Sequence, residues 1–262
     1  MTTDAAEVKA CCATAYSSAA ARFLLGDRFH PGGAALTSRL VRALRVDAGS
    51  KVVDVASGPG TSAIELATET GCGVVGVDLA QASVAAATGA AIAAGLDDRV
   101  RFVVGDAEAL PLADASMDGA LCECALCTFP DKPRAVAELA RVLRPGARLA
   151  LSDITARQDR LPAQLGGLGA WIACIADARP LADIAALIGD AGFAVETVER
   201  HDDALAVMVE RVLARLEAAR MLGGTIEGLG GRLDEAIAIA ISASEAVARG
   251  DLGYGVLIAR RL

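Results

Sequence analysis

The chain has 262 residues, with 25 Lys and Arg against 33 Asp and Glu, a net charge of −8, and 54% hydrophobic residues. That balance excludes a general nucleic-acid surface, which needs clustered cations to neutralise phosphates, and no unbroken apolar run reaches the roughly 18 residues of a membrane span. The opening MTTDAAEVKACC has no basic region followed by an apolar one, so a cytoplasmic location without an export signal is expected, and the seven cysteines are expected as free thiols.

Residues 1–49 predict a mostly helical lead-in, a lid interrupted by FHPGG from Phe29 to Gly33. From Ser50 to Asp153 short β-rich runs alternate with alanine-rich helical ones. Strands are predicted over 51–56, 73–78, 101–105, 119–123 and 148–152, and helices over 61–68, 82–94 and 132–143, with Pro145 and Gly146 ending the last helix. Beyond them come helices within 154–192, a sixth strand over 193–200, two helices over 203–222 and 233–249, and a closing strand from Gly253. The order is that of an α/β, doubly wound and mostly parallel sheet in one core domain, 50–262. The helical insertion, about 202–249, is expected over the mouth of the sheet.

Strand one runs into VVDVASGPGTSA, with Asp54 inside the strand and Gly58 and Gly60 in the turn before a helix. Glycine permits positive φ and close backbone approach, so a nucleotide can lie on the turn above a helix N-terminus. The stretch also fits the dinucleotide fingerprint, which leaves an NAD(P)-type oxidoreductase as an alternative. Three acids favour S-adenosylmethionine instead. Asp54 can help hold a cationic amino-acid group where a pyrophosphate would be repelled. Asp78, ending strand two, can accept from ribose hydroxyls. Asp106 in GDAEALPL can accept from an adenine amine, with Ala107 giving a backbone donor. Over residues 50–153 the chain resembles the class I S-adenosylmethionine-dependent methyltransferases. The resemblance implies a seven-stranded sheet with the last strand antiparallel and Gly58 and Gly60 at the methionine and ribose. It further implies a cofactor wall that includes Ala56, Ser57, Leu79 and Cys122. Ala56 stands where the family more often has glycine.

The stretch LCECALCTFPDK packs Cys122, Cys124 and Cys127 around Glu123 at the end of predicted strand four, where ligands of such sheets bind. A zinc knuckle would want a second pair of cysteines, so no metal is expected. A cysteine nucleophile would want a basic partner, for which His30 and His201 are the candidates. DGALCECALCTFPDKPRAVAELARVLRPGARLALSDI, followed by WIACIADARPL, resembles the arsenite methyltransferase branch. That resemblance implies a thiophilic metalloid acceptor such as As(III), held by Cys124, by Cys174 three residues after Trp171, and by Cys11 or Cys12 from the lead-in. Soft As(III) prefers thiolates, which gives the arrangement a chemical reason. Glu123 replaces the branch's asparagine. The alternative is a small organic acceptor, a quinone or natural product methylated on O, C or S, with Glu123 or His201 as general base.

Overall fold

A computed structural model describes residues 4–166, 174–223, 226 and 231–262. Trp171 lies outside the described residues. Three helices come first, α1 (Ala5–Tyr16), α2 (Ala19–Leu25) and α3 (Gly33–Leu44). The core then alternates β1 (Lys51–Val55), α4 (Thr61–Thr70), β2 (Gly73–Asp78), α5 (Gln81–Ala93), β3 (Val100–Val104), β4 (Met117–Glu123), α6 (Lys132–Val142) and β5 (Leu143–Ala156). It closes with α7 (Leu181–Asp190), β6 (Phe193–Arg200), α8 (Asp202–Met221), α9 (Leu233–Ala248) and β7 (Leu252–Arg261).

The strands form one sheet in the order β3-β2-β1-β4-β5-β7-β6. β7 alone runs against its neighbours β5 and β6, as expected for the last strand. β1 and β2 are short valine-rich runs whose residues are almost all buried, which is what a parallel strand covered by helices on both faces requires. One face packs Leu40 and Leu44 of α3, Leu66 of α4 and Ala87 of α5 against Val52, Val74 and Phe102. The other packs Val136 and Leu139 of α6 and Ile188 of α7 against Val53, Leu149 and Leu257. Each of these side chains larger than alanine contributes roughly 1.5–3 kcal/mol by leaving water. Local signals set the helix starts: Asp131 accepts from the Arg134 N–H at 3.0 Å to cap α6. Gly60 takes φ +81° where a Cβ would stand 2.5 Å from the Phe102 ring, so only glycine lets α4 start this close to β3.

Two departures from expectation have local causes. β5 starts at Leu143, well before the predicted 148, because Pro145 and Gly146 are absorbed in an irregularity between the Met117–Leu143 and Gly119–Arg148 pairings and do not separate helix from strand. The inserted helices α8 and α9 pack on each other through Leu216, Ile237 and Ala240 and against Leu24 of α2. Arg215 of α8 donates to the carbonyls of Phe23 and Leu24 at 2.8 and 2.9 Å. The insertion therefore braces the lead-in, and none of its described residues lines the large cavity beyond the strand ends. Among the described residues no helix is long and apolar enough to cross a membrane.

Candidate active site

Strand order reverses between β1 and β4, and a cavity of about 140 Å³ opens there beyond the carboxyl ends of β1, β2 and β4. Asp54, Ala56, Ser57, Gly58, Asp78, Leu79, Asp106 and Ala107 line it. Gly60 does not, being turned into the α5 and β3 packing. Cys122 does not either: strand alternation buries its side chain completely in the core, so it is removed from the expected wall. Ala56 takes φ +58°, the left-handed conformation that explains why glycine would serve there. Asp78 holds the turn together, accepting from Gly58 N–H at 2.8 Å through Oδ2 and from Ala80 N–H at 2.8 Å through Oδ1. Burial raises the carboxyls of Asp54 and Asp78, and for Asp54 the charges of Glu123 and Asp78 raise it further.

The lead-in roofs this cavity. Lys9, Cys12, Ala13 and Tyr16 of α1 line it, and the Lys9 ammonium bridges Asp106 Oδ2, at 2.7 Å, and the Glu108 carboxylate. Burial alone would raise the Asp106 carboxyl, yet Lys9 outweighs it and holds the group below its ordinary range. The bridge ties α1 to the end of β3. Lys9→Met is expected to speed amide exchange across α1 by up to about fivefold, the scale of a partly exposed ion pair, while exchange in β1 stays unchanged.

An S-adenosylmethionine fits these residues. Asp54 Oδ2 and Ser57 Oγ are buried polar atoms without a protein partner, both in residues of the wall, and so are available to a polar ligand. The wall combines acids suited to a cationic ligand with Leu79, 40% exposed, as an apolar surface for a flat base.

At the acceptor side Glu123 ends β4 with its side chain almost wholly buried. Thr37 Oγ1 of α3 donates to Glu123 Oε1 at 3.1 Å, and His30 Nδ1 lies 3.7 Å from the same oxygen. His30 is fixed in turn, Nδ1 being 3.1 Å from the Pro31 carbonyl and Nε2 3.3 Å from Thr37 Oγ1. The FHPGG interruption thus delivers Phe29 and His30 to the cavity, with Gly32 at φ +82° starting α3 where a Cβ would strike Leu36 at 2.7 Å. His30 and Thr37 lie roughly 90 residues from Glu123 in the chain, and the one signal for them was the HPGG turn itself. His201 is elsewhere: it precedes α8, bonds Glu199 at 3.2 Å and has no place on the cavity wall. Its candidacy as a base is withdrawn on that geometry.

The thiols divide. Cys124 lines the cavity, and Cys174 stands behind it with Sγ 3.7 Å from the Cys124 carbonyl oxygen and 2.8 Å from the Tyr16 hydroxyl. Cys12 lines the cavity, and burial followed by the Cys174 charge pushes its thiol up to about 12. Cys11 does not reach the cavity. Among the described residues no three His, Cys, Asp or Glu side chains surround a point that could hold a metal ion.

Below the thiols lies Asp153, 1% exposed, accepting from the N–H of Cys127 and of Ile154 at 2.7 Å each. Burial pushes its carboxyl from 3.8 up to about 7. The unfolded chain loses this proton first, so the group's contribution to stability falls as pH rises from about 4 to about 7 and is level above that. The shift corresponds to a fall on the order of 4 kcal/mol. Asp153→Asn is expected to remove that fall, read from urea midpoints at several pH values; parallel pH profiles for the two proteins would refute it.

The family model described as a methyltransferase domain matches residues 53–151. Methyltransferase GfsG of Streptomyces halstedii is 40% identical over 50% of this chain and 47% of its own length. The 27-O-demethylrifamycin SV methyltransferase of Amycolatopsis mediterranei is 41% identical over 45% of this chain and 43% of its own. An arsenite methyltransferase of Halobacterium salinarum is more distant, 29% identical over 59% of this chain and 40% of its own. The chain thus spans about half the length of the curated relatives it matches. Among solved structures, phosphoethanolamine N-methyltransferase 2 of Haemonchus contortus, in complex with S-adenosyl-L-methionine, superposes with TM-score 0.76 at 19% identity over 92% of this chain and 56% of that one. A likeness at that identity shows the sheet and its helices alone.

Proposed function

We propose that this chain, whose residues 53–151 match a methyltransferase domain and whose sheet is that of the class I methyltransferases, transfers a methyl group from S-adenosylmethionine to a small organic acceptor. The observation that carries the acceptor class is the buried Glu123 carboxylate on the cavity wall, oriented by Thr37 and backed by His30. When bound, the donor supplies a methyl group already activated on a sulfonium.

The protein's residues then have three tasks. Asp54, Asp78 and Asp106, with the backbone of Gly58 and Ala107, bind the donor's charged and hydroxyl groups and fix its direction. α1, through Lys9, Cys12 and Tyr16, covers the cavity and excludes water. Glu123 takes the proton from an acceptor hydroxyl as its oxygen becomes nucleophilic, with Thr37 keeping Oε1 in place and His30 Nδ1 standing 3.7 Å from the same oxygen. The relative acting at a 27-O position supports oxygen as the accepting atom.

A thiophilic acceptor is the second reading, supported by Cys124 on the cavity wall with the Cys174 sulfur 3.7 Å from its carbonyl oxygen. The two separate in one experiment. Purified protein with S-adenosylmethionine is offered a panel of phenols, quinols and hydroxylated polyketides, and in parallel As(III) with a thiol reductant, and methylated product is identified by mass. Product from a hydroxyl acceptor supports the main reading, and product from As(III) alone overturns it. Calorimetry showing binding of NADH and none of S-adenosylmethionine would overturn both.

A further inference from the structure

Three thiols gather behind the acceptor side of the cavity, and transfer to an organic acceptor uses none of them. Cys124 follows β4 directly on the cavity wall, and Cys127 sits in the single helical turn Leu126–Thr128. Cys174, 4% exposed, arrives from a segment fifty residues further along. The side chains of both Cys124 and Cys127 lie within hydrogen-bonding reach of the Cys174 sulfur, which also contacts the Tyr16 hydroxyl at 2.8 Å. Lys132, 3% exposed, adds a cation beside them while donating to the Cys127 and Phe129 carbonyls at 3.1 Å each and pairing with Asp177. Hydrogen bonds from Cys124 and Cys127, then from Tyr16, hold the Cys174 thiol well below its ordinary range despite burial. Cys124 and Cys174 are moreover both held in the left-handed region, at φ +54° and +64°. Non-glycine residues stay there only where their surroundings impose it, and such residues gather at functional sites.

We propose that Cys124 and Cys174 are a redox-active pair that closes to a disulfide when a hydroperoxide enters the cavity. Cys124 is the sulfur that the oxidant meets, because it is the member of the trio on the cavity wall. Its proton passes to Cys174 along their hydrogen bond, and the Cys124 thiolate attacks one peroxide oxygen. The S–O bond forms, the O–O bond breaks, and the departing hydroxide takes the proton from Cys174 to leave as water. The Cys174 thiolate then attacks the Cys124 sulfur: the S–S bond forms, the S–O bond breaks, and the leaving hydroxide takes a proton from solvent to become a second water. The Cys124 thiol and the Cys174 thiolate together give up two electrons, and the peroxide, with the Cys124 proton and one from solvent, becomes two waters. The inference stands apart from the identity of the acceptor, since it is read from the protein's mass.

The test treats the full chain with hydrogen peroxide near equimolar ratio, blocks the remaining thiols, and maps linked peptides without reduction. The expected result is a protein lighter by two hydrogens, a Cys124–Cys174 link, and recovery of both thiols with dithiothreitol. Cys124→Ser and Cys174→Ser are each expected to lose the link, and Cys127→Ser to keep it, with circular dichroism spectra and S-adenosylmethionine calorimetry verifying that each variant is folded. A link that maps to Cys127, a link that survives in Cys174→Ser, or oxygen addition without any link in the folded wild-type protein would overturn the assignment.

Discussion

Glu123→Gln is expected to lower kcat by about 10²–10⁴-fold, the range a positioned general base supplies, while the Kd for S-adenosylmethionine changes by no more than about threefold. The amide keeps the size of the side chain and an oxygen to accept from Thr37 Oγ1, now 3.1 Å from Oε1, so the wall keeps its shape and only the proton acceptor is lost. His201→Ala is expected to turn over at the wild-type rate, because His201 bonds Glu199 away from the cavity. Single-turnover kinetics with a hydroxyl acceptor reads both. A glutamine variant as fast as wild type would remove Glu123 from the chemistry.

Asp78→Ala should have the larger effect on the donor, weakening S-adenosylmethionine binding by roughly 10²-fold, since hydrogen bonds to a charged partner are each worth about 1.5–3 kcal/mol. The carboxylate does two things at once. It accepts from Gly58 and Ala80 at 2.8 Å, which sets the glycine turn, and it faces the cavity where ribose hydroxyls would lie. Asp78→Asn, which keeps one accepting oxygen, should fall between wild type and alanine. Calorimetry gives the affinities and a thermal melt gives the cost to the fold; an alanine variant that binds within threefold of wild type would place the donor elsewhere.

The sheet was legible because its strands are short valine-rich runs separated by alanine-rich helices, a pattern that depends on local residues alone. The expected boundaries of β1, β2 and β6 agree with those observed to within a residue, and β5 failed where Pro145 and Gly146 fit an irregular strand as well as a helix end. The glycine turn and the strand-end acids were legible for the same reason, each lying next to its own strand. What could not be read were meetings across the chain. His30 and Thr37 reach Glu123 through the path of α3, Lys9 reaches Asp106 through the placement of α1, and neither pairing has a periodicity or a spacing to betray it. Two positions apart, Cys122 and Cys124 would share a face of an unbroken strand, but the strand breaks at the positive φ of Cys124 and turns the two apart, one into the core and one to the cavity.

Asp54 carries a consequence for how the protein meets its donor. One of its oxygens is buried without a partner, and its carboxyl is raised by burial and by the charges of Glu123 and Asp78. A ligand bearing positive charge at that wall stabilises the ionised form, so binding expels a proton into the buffer. Donor affinity is therefore expected to strengthen as pH rises, and the apparent heat of binding to change with the ionisation enthalpy of the buffer chosen. Asp54→Asn should make that heat the same in every buffer. Loading the cavity is thus expected to release acid, ahead of any methyl transfer.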